Sequence, residues 1–180
     1  MAFESLIPVL SHQKWNAGET GFAYIIMAVG AGALMAVVSI AGVQSTRNRG
    51  KLLLWLGVAS GFGLLGLAMA GNQPVALAVA AIMGGAQAGF MTLVLVIMQT
   101  IVPDRIRGRV SSIYLLHVGG MMAVLNLIYG NLAETFDASV VLGTSGALFV
   151  LVMAVSLLWT PLRRLYFFGL QRELNAQVAY

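Results

Sequence analysis

Five stretches of this chain run without a Lys, Arg, Asp or Glu for long enough to cross a lipid bilayer, and that decides what it can fold into. They are Gly21–Val43, Leu52–Gly71, Val75–Ile101, Val110–Leu132 and Val140–Thr160. A helix needs about 20 mostly apolar residues to cross the hydrocarbon layer. Inside that layer no water can satisfy a backbone N–H or C=O, so each segment must bond within itself. The pattern therefore predicts an all-α membrane protein with five transmembrane helices in one domain over residues 1–180. The third run exceeds the minimum, which predicts tilt or an extension past the bilayer. Phe3–Leu10 is apolar but too short to span, so residues 1–10 are expected to be the end of a truncated leading helix. Residues 161–180 are expected to form a tail.

Composition agrees and removes other classes. Only 9% of residues are charged and 59% are hydrophobic, whereas a soluble domain carries about 25% charged residues. With no cysteine in the chain, disulfides, zinc-thiolate sites and thiol chemistry are excluded. The start has neither a basic region nor a small-residue cleavage site, so it does not read as a signal peptide. A net charge of +4 could suggest nucleic acid, but the cations cluster between the apolar runs. That placement is a signature of membrane topology, and no nucleic acid partner is expected.

The clusters set an orientation. Arg47, Arg49 and Lys51 lie between the first and second runs, and Arg105, Arg107 and Arg109 between the third and fourth. Arg163, Arg164 and Arg172 follow the fifth, and strict alternation leaves only Lys14 on the opposite side. The positive-inside rule makes the clustered side cytoplasmic. The expectation is a multi-pass inner-membrane protein with a cytoplasmic C-terminus, in which Leu162–Leu170 lies along the interface as an aromatic, basic segment.

Within the runs, small residues recur at helical spacing. Ala28, Gly32, Ala36 and Ser39 form one stripe, Gly57 and Gly61 a second, and Gly85 and Gly89 a third that continues through Thr92, Val96 and Gln99. Such stripes let helix backbones approach in lipid. Polar residues in membrane helices face the bundle or a wet cavity. The candidate cavity residues are Tyr24, then Gln87 with Met91 and Met98 on one face, then His117 and Asn126. His117 and Asn126 are nine positions apart, which puts them on nearly opposite faces of a regular helix. Each of these also has a plain reading as interhelical contact.

One string is specific. Pro103-Asp104-Arg105-Ile106-Arg107-Gly108-Arg109-Val110-Ser111-Ser112-Ile113-Tyr114 resembles the P-x-x-x-R-G-R-V-x-S-x-Y segment between the tenth and eleventh helices of major facilitator superfamily exporters. The similar branch holds the enterobactin exporter and related drug-efflux proteins. Ala17-Gly18-Glu19-Thr20-Gly21-Phe22-Ala23-Tyr24, followed by Gly30-Ala31-Gly32-Ala33, looks like the entry to the eighth helix there. Gly42–Lys51 is similar to the superfamily's basic turn between helices eight and nine, with Thr46 where the acid stands.

The resemblance implies the second half of a major facilitator bundle, covering the end of helix seven and helices eight to twelve. Two such halves rock around a midplane site. It implies a secondary active transporter moving a small amphipathic molecule outward, such as a drug or siderophore. The partners would be the missing N-terminal half or a second copy, the lipid bilayer, and protons as coupling ion. Arg47, Arg49, Lys51, Asp104, Arg107, Gly108 and Arg109 become candidates for a cytoplasmic gate or anchor, with Gly108 expected to permit a tight loop.

No carboxylate lies within a run, so an intramembrane acid for proton coupling would have to come from outside this chain. Neither His12 nor His117 belongs to a metal or nucleophile constellation. The G-x-x-x-x-G-K-S/T loop of ATP-driven pumps is missing as well. No enzymatic activity, metal or cofactor is expected. The alternative is a membrane interaction or assembly subunit that keeps the fold without transporting.

Overall fold

The structure, a computed structural model, describes residues 3–42 and 45–168. The side chains of Thr46, Arg47 and Phe168 lie outside that set, as does Arg172. Seven helices follow one another: α1 (Ile7–Gln13), α2 (Gly18–Ala41), α3 (Thr46–Met69), α4 (Gln73–Ile101), α5 (Asp104–Thr135), α6 (Ala138–Ser156) and α7 (Thr160–Phe168). Among them, α2 to α6 are the five long and apolar enough to cross a membrane. The described residues contain no strand.

Local sequence explains where the helices start and stop. Asn72 caps α4, its side-chain oxygen accepting from the Val75 N–H at 3.0 Å, and Pro74 follows in the first turn where its missing donor costs nothing. Asp137 caps α6 in the same way, accepting from the Ser139 N–H at 2.7 Å. Between α1 and α2 the chain reverses through Asn16 (φ 52°) and Gly18 (φ 60°), two residue types that tolerate the left-handed region. Between α4 and α5, Pro103 does the turning. It restricts Val102 to an extended conformation and starts α5 directly after itself.

The helices are held by backbone approach. An added Cβ on Gly32 of α2 would fall on the Ala81 carbonyl of α4, and one on Gly84 would fall on the Val29 carbonyl. Gly85 lies 3.0 Å by the same construction from the Gly32 oxygen. Gly61 of α3 and Gly146 of α6 are reciprocal, with Gly61 oxygen 2.9 Å from the Cβ position of Gly146. Gly57 leaves room on α3 for Met153 and Phe90, and Phe90 meets Phe149 edge-on at 5.9 Å.

Two apolar clusters result, one at each end. The first joins α1 to the bundle through Leu6, Ile7, Leu10 and Trp15, against Ile25, Leu64, Leu67, Met83 and Leu142. The second joins α7 to α3 and α4 through Tyr166 against Leu53, Leu93 and Ile97. At the first end the α1–α2 connection is clamped. Lys14 Nζ donates to the Ala68 carbonyl at the end of α3 and to Ser139 Oγ at 3.2 Å, and the buried Trp15 indole donates to the Ala70 carbonyl at 2.9 Å. A cation at the C-terminus of α3 also complements that helix's dipole.

Two expectations follow. Gly32→Ala should prevent α2 and α4 from closing and leave the chain prone to aggregate on heating in detergent. Gly30→Ala, two residues away with nothing within 4 Å, should be tolerated; equal thermal stability of the two variants would contradict the packing described. The second concerns acid. The Ser139 N–H holds the Asp137 carboxyl below its ordinary range. A depressed folded pKa means the cap's contribution is present above the unfolded value, about 3.9, and lost as pH falls through the lowered one. Melting temperature should therefore drop in that acid window, and Asp137→Asn, which keeps an acceptor oxygen, should flatten the dependence.

Candidate functional site

At about 1.5 Å per residue the 32 residues of α5 span on the order of 48 Å, well beyond the roughly 30 Å hydrocarbon layer. None of them is buried. The helix makes its main contacts with α6 and with α4, where Gln99 Nε2 reaches Ser111 Oγ at 3.5 Å. The stripe residue Gln99 thus acts as an interhelical tie.

The polar candidates on α5 differ in setting. His117, near the middle of the helix, is exposed. Asn126 is half-buried, and its Oδ1 is shielded yet has no hydrogen-bond partner among the described residues. Beside it Leu125 and Tyr129 line a groove of about 300 Å³ with Phe3, Leu64, Ser145 and Phe149. The Ser5 hydroxyl, two residues from Phe3, is likewise buried and unpartnered. An orphaned polar atom at membrane depth is costly unless a partner or water meets it.

On the other helices, Gln87 and Met91 are half-buried on α4, and Tyr24 of α2 is 55% exposed. Met98 lines a different groove, shared by α3, α4 and α7. No described hydrogen bond joins any two of Tyr24, Gln87, His117 and Asn126. These residues are spread over three helices, and the described chain leaves them open rather than closing them into one chamber.

At the opposite edge the arginines are arranged differently from expectation. Arg105, Arg107, Gly108 and Arg109 lie in the first turns of α5, not in a loop. Gly108 has open space around it and no positive φ, so it makes no tight turn; Pro103 has taken that role. Asp104 pairs with Arg107 one turn along the same helix, with the Asp104 side chain 88% exposed. Such a surface pair contributes under about 1 kcal/mol. The structure therefore shows Arg107 and Asp104 engaged with each other and not with another helix. Arg49 and Lys51 also stand inside a helix, in the first turns of α3, Arg49 half-buried and Lys51 exposed. The side chain of Arg47 lies outside the described residues.

Three features escaped sequence reasoning: the Lys14–Trp15 clamp, the groove beside Asn126, and the seating of α7 on Gly50. Only the first had a signal, a Lys-Trp pair just past an apolar segment, where such residues anchor at interfaces.

The family model described as transmembrane secretion effector matches residues 1–166. The chain belongs to that family. Transmembrane secretion effectors are transporters of the major facilitator type, and the membrane-crossing helices and their open polar residues fit membrane transport. No curated protein and no solved structure matches the chain.

The orphaned oxygen of Asn126 yields a test for this transporter chain. Asn126→Leu removes an unsatisfied buried acceptor for a side chain of similar size, which should stabilise the fold by about 1 kcal/mol. Thermal denaturation in detergent checks this; a variant clearly less stable than the parent would mean that Asn126 is satisfied in the folded protein.

Proposed function

We propose that this chain is the C-terminal half of a secondary transporter that exports a small amphipathic molecule, of the drug or siderophore kind, across the cell membrane. The observation that carries the reading is α5. A membrane helix with no buried residue and an imidazole exposed at its middle does not suit a lipid environment on all sides. It suits a helix that has water or substrate on one side and a second bundle on another. The open faces of α2, with Tyr24, Met27 and Met35 exposed, make the same demand. The occupant of the gap is a second six-helix half, and the groove beside Asn126 takes a further apolar helix of that assembly.

Alternating access follows from this architecture as rocking of the two halves about their shared cavity. In this reading Gln87, Met91 and His117 contribute to the cavity. The adaptable methionines suit an apolar ligand of irregular shape. His117 offers a hydrogen bond to its polar part, while Asn126, nine positions on, lies toward the opposite face of α5 and serves the interface with the other half. The basic end, with the starts of α3 and α5 and the whole of α7, faces the cytoplasm by the positive-inside rule. The spans of this chain contain no carboxylate, so the acid that couples export to protons resides in the other half.

Efflux of a fluorescent amphipathic dye from exporter-deficient cells tests the proposal. The chain co-expressed with a major facilitator N-terminal half encoded beside it should lower dye retention several-fold, and an uncoupler should abolish the effect. His117→Ala should reduce efflux without changing the amount of protein in the membrane. Wild-type levels of efflux from the chain alone would refute the half-transporter reading. Failure of the pair to move any solute of a broad panel would favour the non-transporting assembly subunit.

A further inference from the structure

We propose that the groove between α3, α4 and α7 seats an acyl chain of an anionic phospholipid, whose phosphate is met by Arg163 and Arg164. The proposal is independent of which solute the transporter carries, and even of whether it transports.

The groove measures about 360 Å³ and is walled by Leu53, Phe90, Val94, Ile97, Met98 and Leu162, with Tyr166 closing one side. Tyr166 is the polar member of the wall, and its hydroxyl is already engaged with Ser156 Oγ at 3.2 Å. What remains available to a ligand is apolar, which suits hydrocarbon and little else.

The second observation is the helix that forms its lid. Along α7, Leu162, Leu165 and Tyr166 turn to the bundle, while Arg163 and Arg164, one and two 100° steps on from Leu162, are exposed. Trp159 and Phe167 are exposed as well, at 67% and 45%. A short helix with one apolar face, paired arginines and flanking aromatics is the pattern of a segment lying in the headgroup plane. The segment Thr160–Phe168 contains no acid, and neither arginine forms an ion pair with a described residue. The two guanidinium groups are free to chelate phosphate oxygens.

α7 is also held in place. Its backbone at Leu165 packs directly onto Gly50, where any Cβ would collide with the Leu165 carbonyl. Exposed Lys51 is the next residue along α3. One packed helix therefore carries both a wall of the apolar groove and the cationic face, and a lipid is the ligand that offers hydrocarbon and phosphate together. Attraction of anionic lipid to each basic residue near the membrane surface corresponds to about a five-fold preference.

Tryptophan quenching by brominated lipid tests this in the full chain. Trp55→Phe removes the other exposed indole, and Trp15, buried at the far end, leaves a constant background. In phosphatidylcholine vesicles, brominated phosphatidylglycerol should quench Trp159 with an apparent preference over brominated phosphatidylcholine of about five-fold if one arginine is engaged, rising toward about 25-fold if both are. The double variant R163Q/R164Q, altered only at exposed positions, should retain helix content by circular dichroism and bring the preference near one. High salt should reduce it in the parent. Val94→Phe or Met98→Phe, which fill the groove from different positions, should weaken the preference with both arginines intact. Equal quenching by the two lipids, or a preference that survives the double variant, would overturn the proposal. A preference untouched by both groove-filling variants would overturn the acyl seat.

Discussion

The bundle depends on how closely α2 and α4 approach. In lipid the hydrophobic effect does not press helices together, because a lipid tail is as good a neighbour as a leucine. What favours contact is dispersion between surfaces that fit, and fit is best where two backbones meet without side chains between them. Gly32 against Ala81, Gly84 against Val29 and Gly85 against Gly32 provide that meeting over successive turns. With this pair in place, α3 packs along α4 with Met83 over Gly63, and α6 packs on α3 through Gly61 and Gly146. Each later contact uses a surface positioned by the earlier one.

Against that standard α5 is unlike its neighbours. Gly119, Gly120 and Gly130 have nothing within 4 Å, although the glycines of α3 and α4 inside the bundle almost all touch another helix. The composition of α5 is that of a packing helix, and its described surroundings are those of a lone one. His117 and Asn126 sharpen the contrast, since they carry hydrogen-bonding groups to membrane depth without a protein partner for the Asn126 oxygen. A helix with this combination is held at the margin of its own bundle, where a second bundle can reach it. The functional reading rests on that marginal position more than on any one side chain.

The fold was largely legible because the bilayer leaves few choices. Runs without charge became helices, and the stripes through Gly32, Gly57, Gly61, Gly85 and Gly89 became contact faces because close approach requires them. Helix ends were less legible. Arg105, Arg107 and Arg109 were placed in a loop by their charge, yet charge does not prevent a helix from continuing past the bilayer, and Pro103 makes the turn before them. The candidate site was least legible. Helical periodicity says which residues share a face of one helix, but whether Tyr24, Gln87 and His117 converge depends on how α2, α4 and α5 are arranged. That arrangement is decided by backbone contacts elsewhere.

The two ends of the bundle are built on different physics. At one end Lys14 and Trp15 donate directly to the last carbonyls of α3, and Lys14 also reaches Ser139 at the start of α6, so three helices are tied by short, partly buried hydrogen bonds. At the other end the described cations of α3, α5 and α7 stand at the helix starts, and most are exposed. Like charges there repel, and water and salt only partly screen them. Asp104 neutralises Arg107 within α5 but does nothing to draw α5 toward α3 or α7. At that end α7 is held to α3 and α4 by apolar packing around Tyr166, and the exposed cations are left facing outward, where phosphate in the membrane or acidic residues on a partner can meet them.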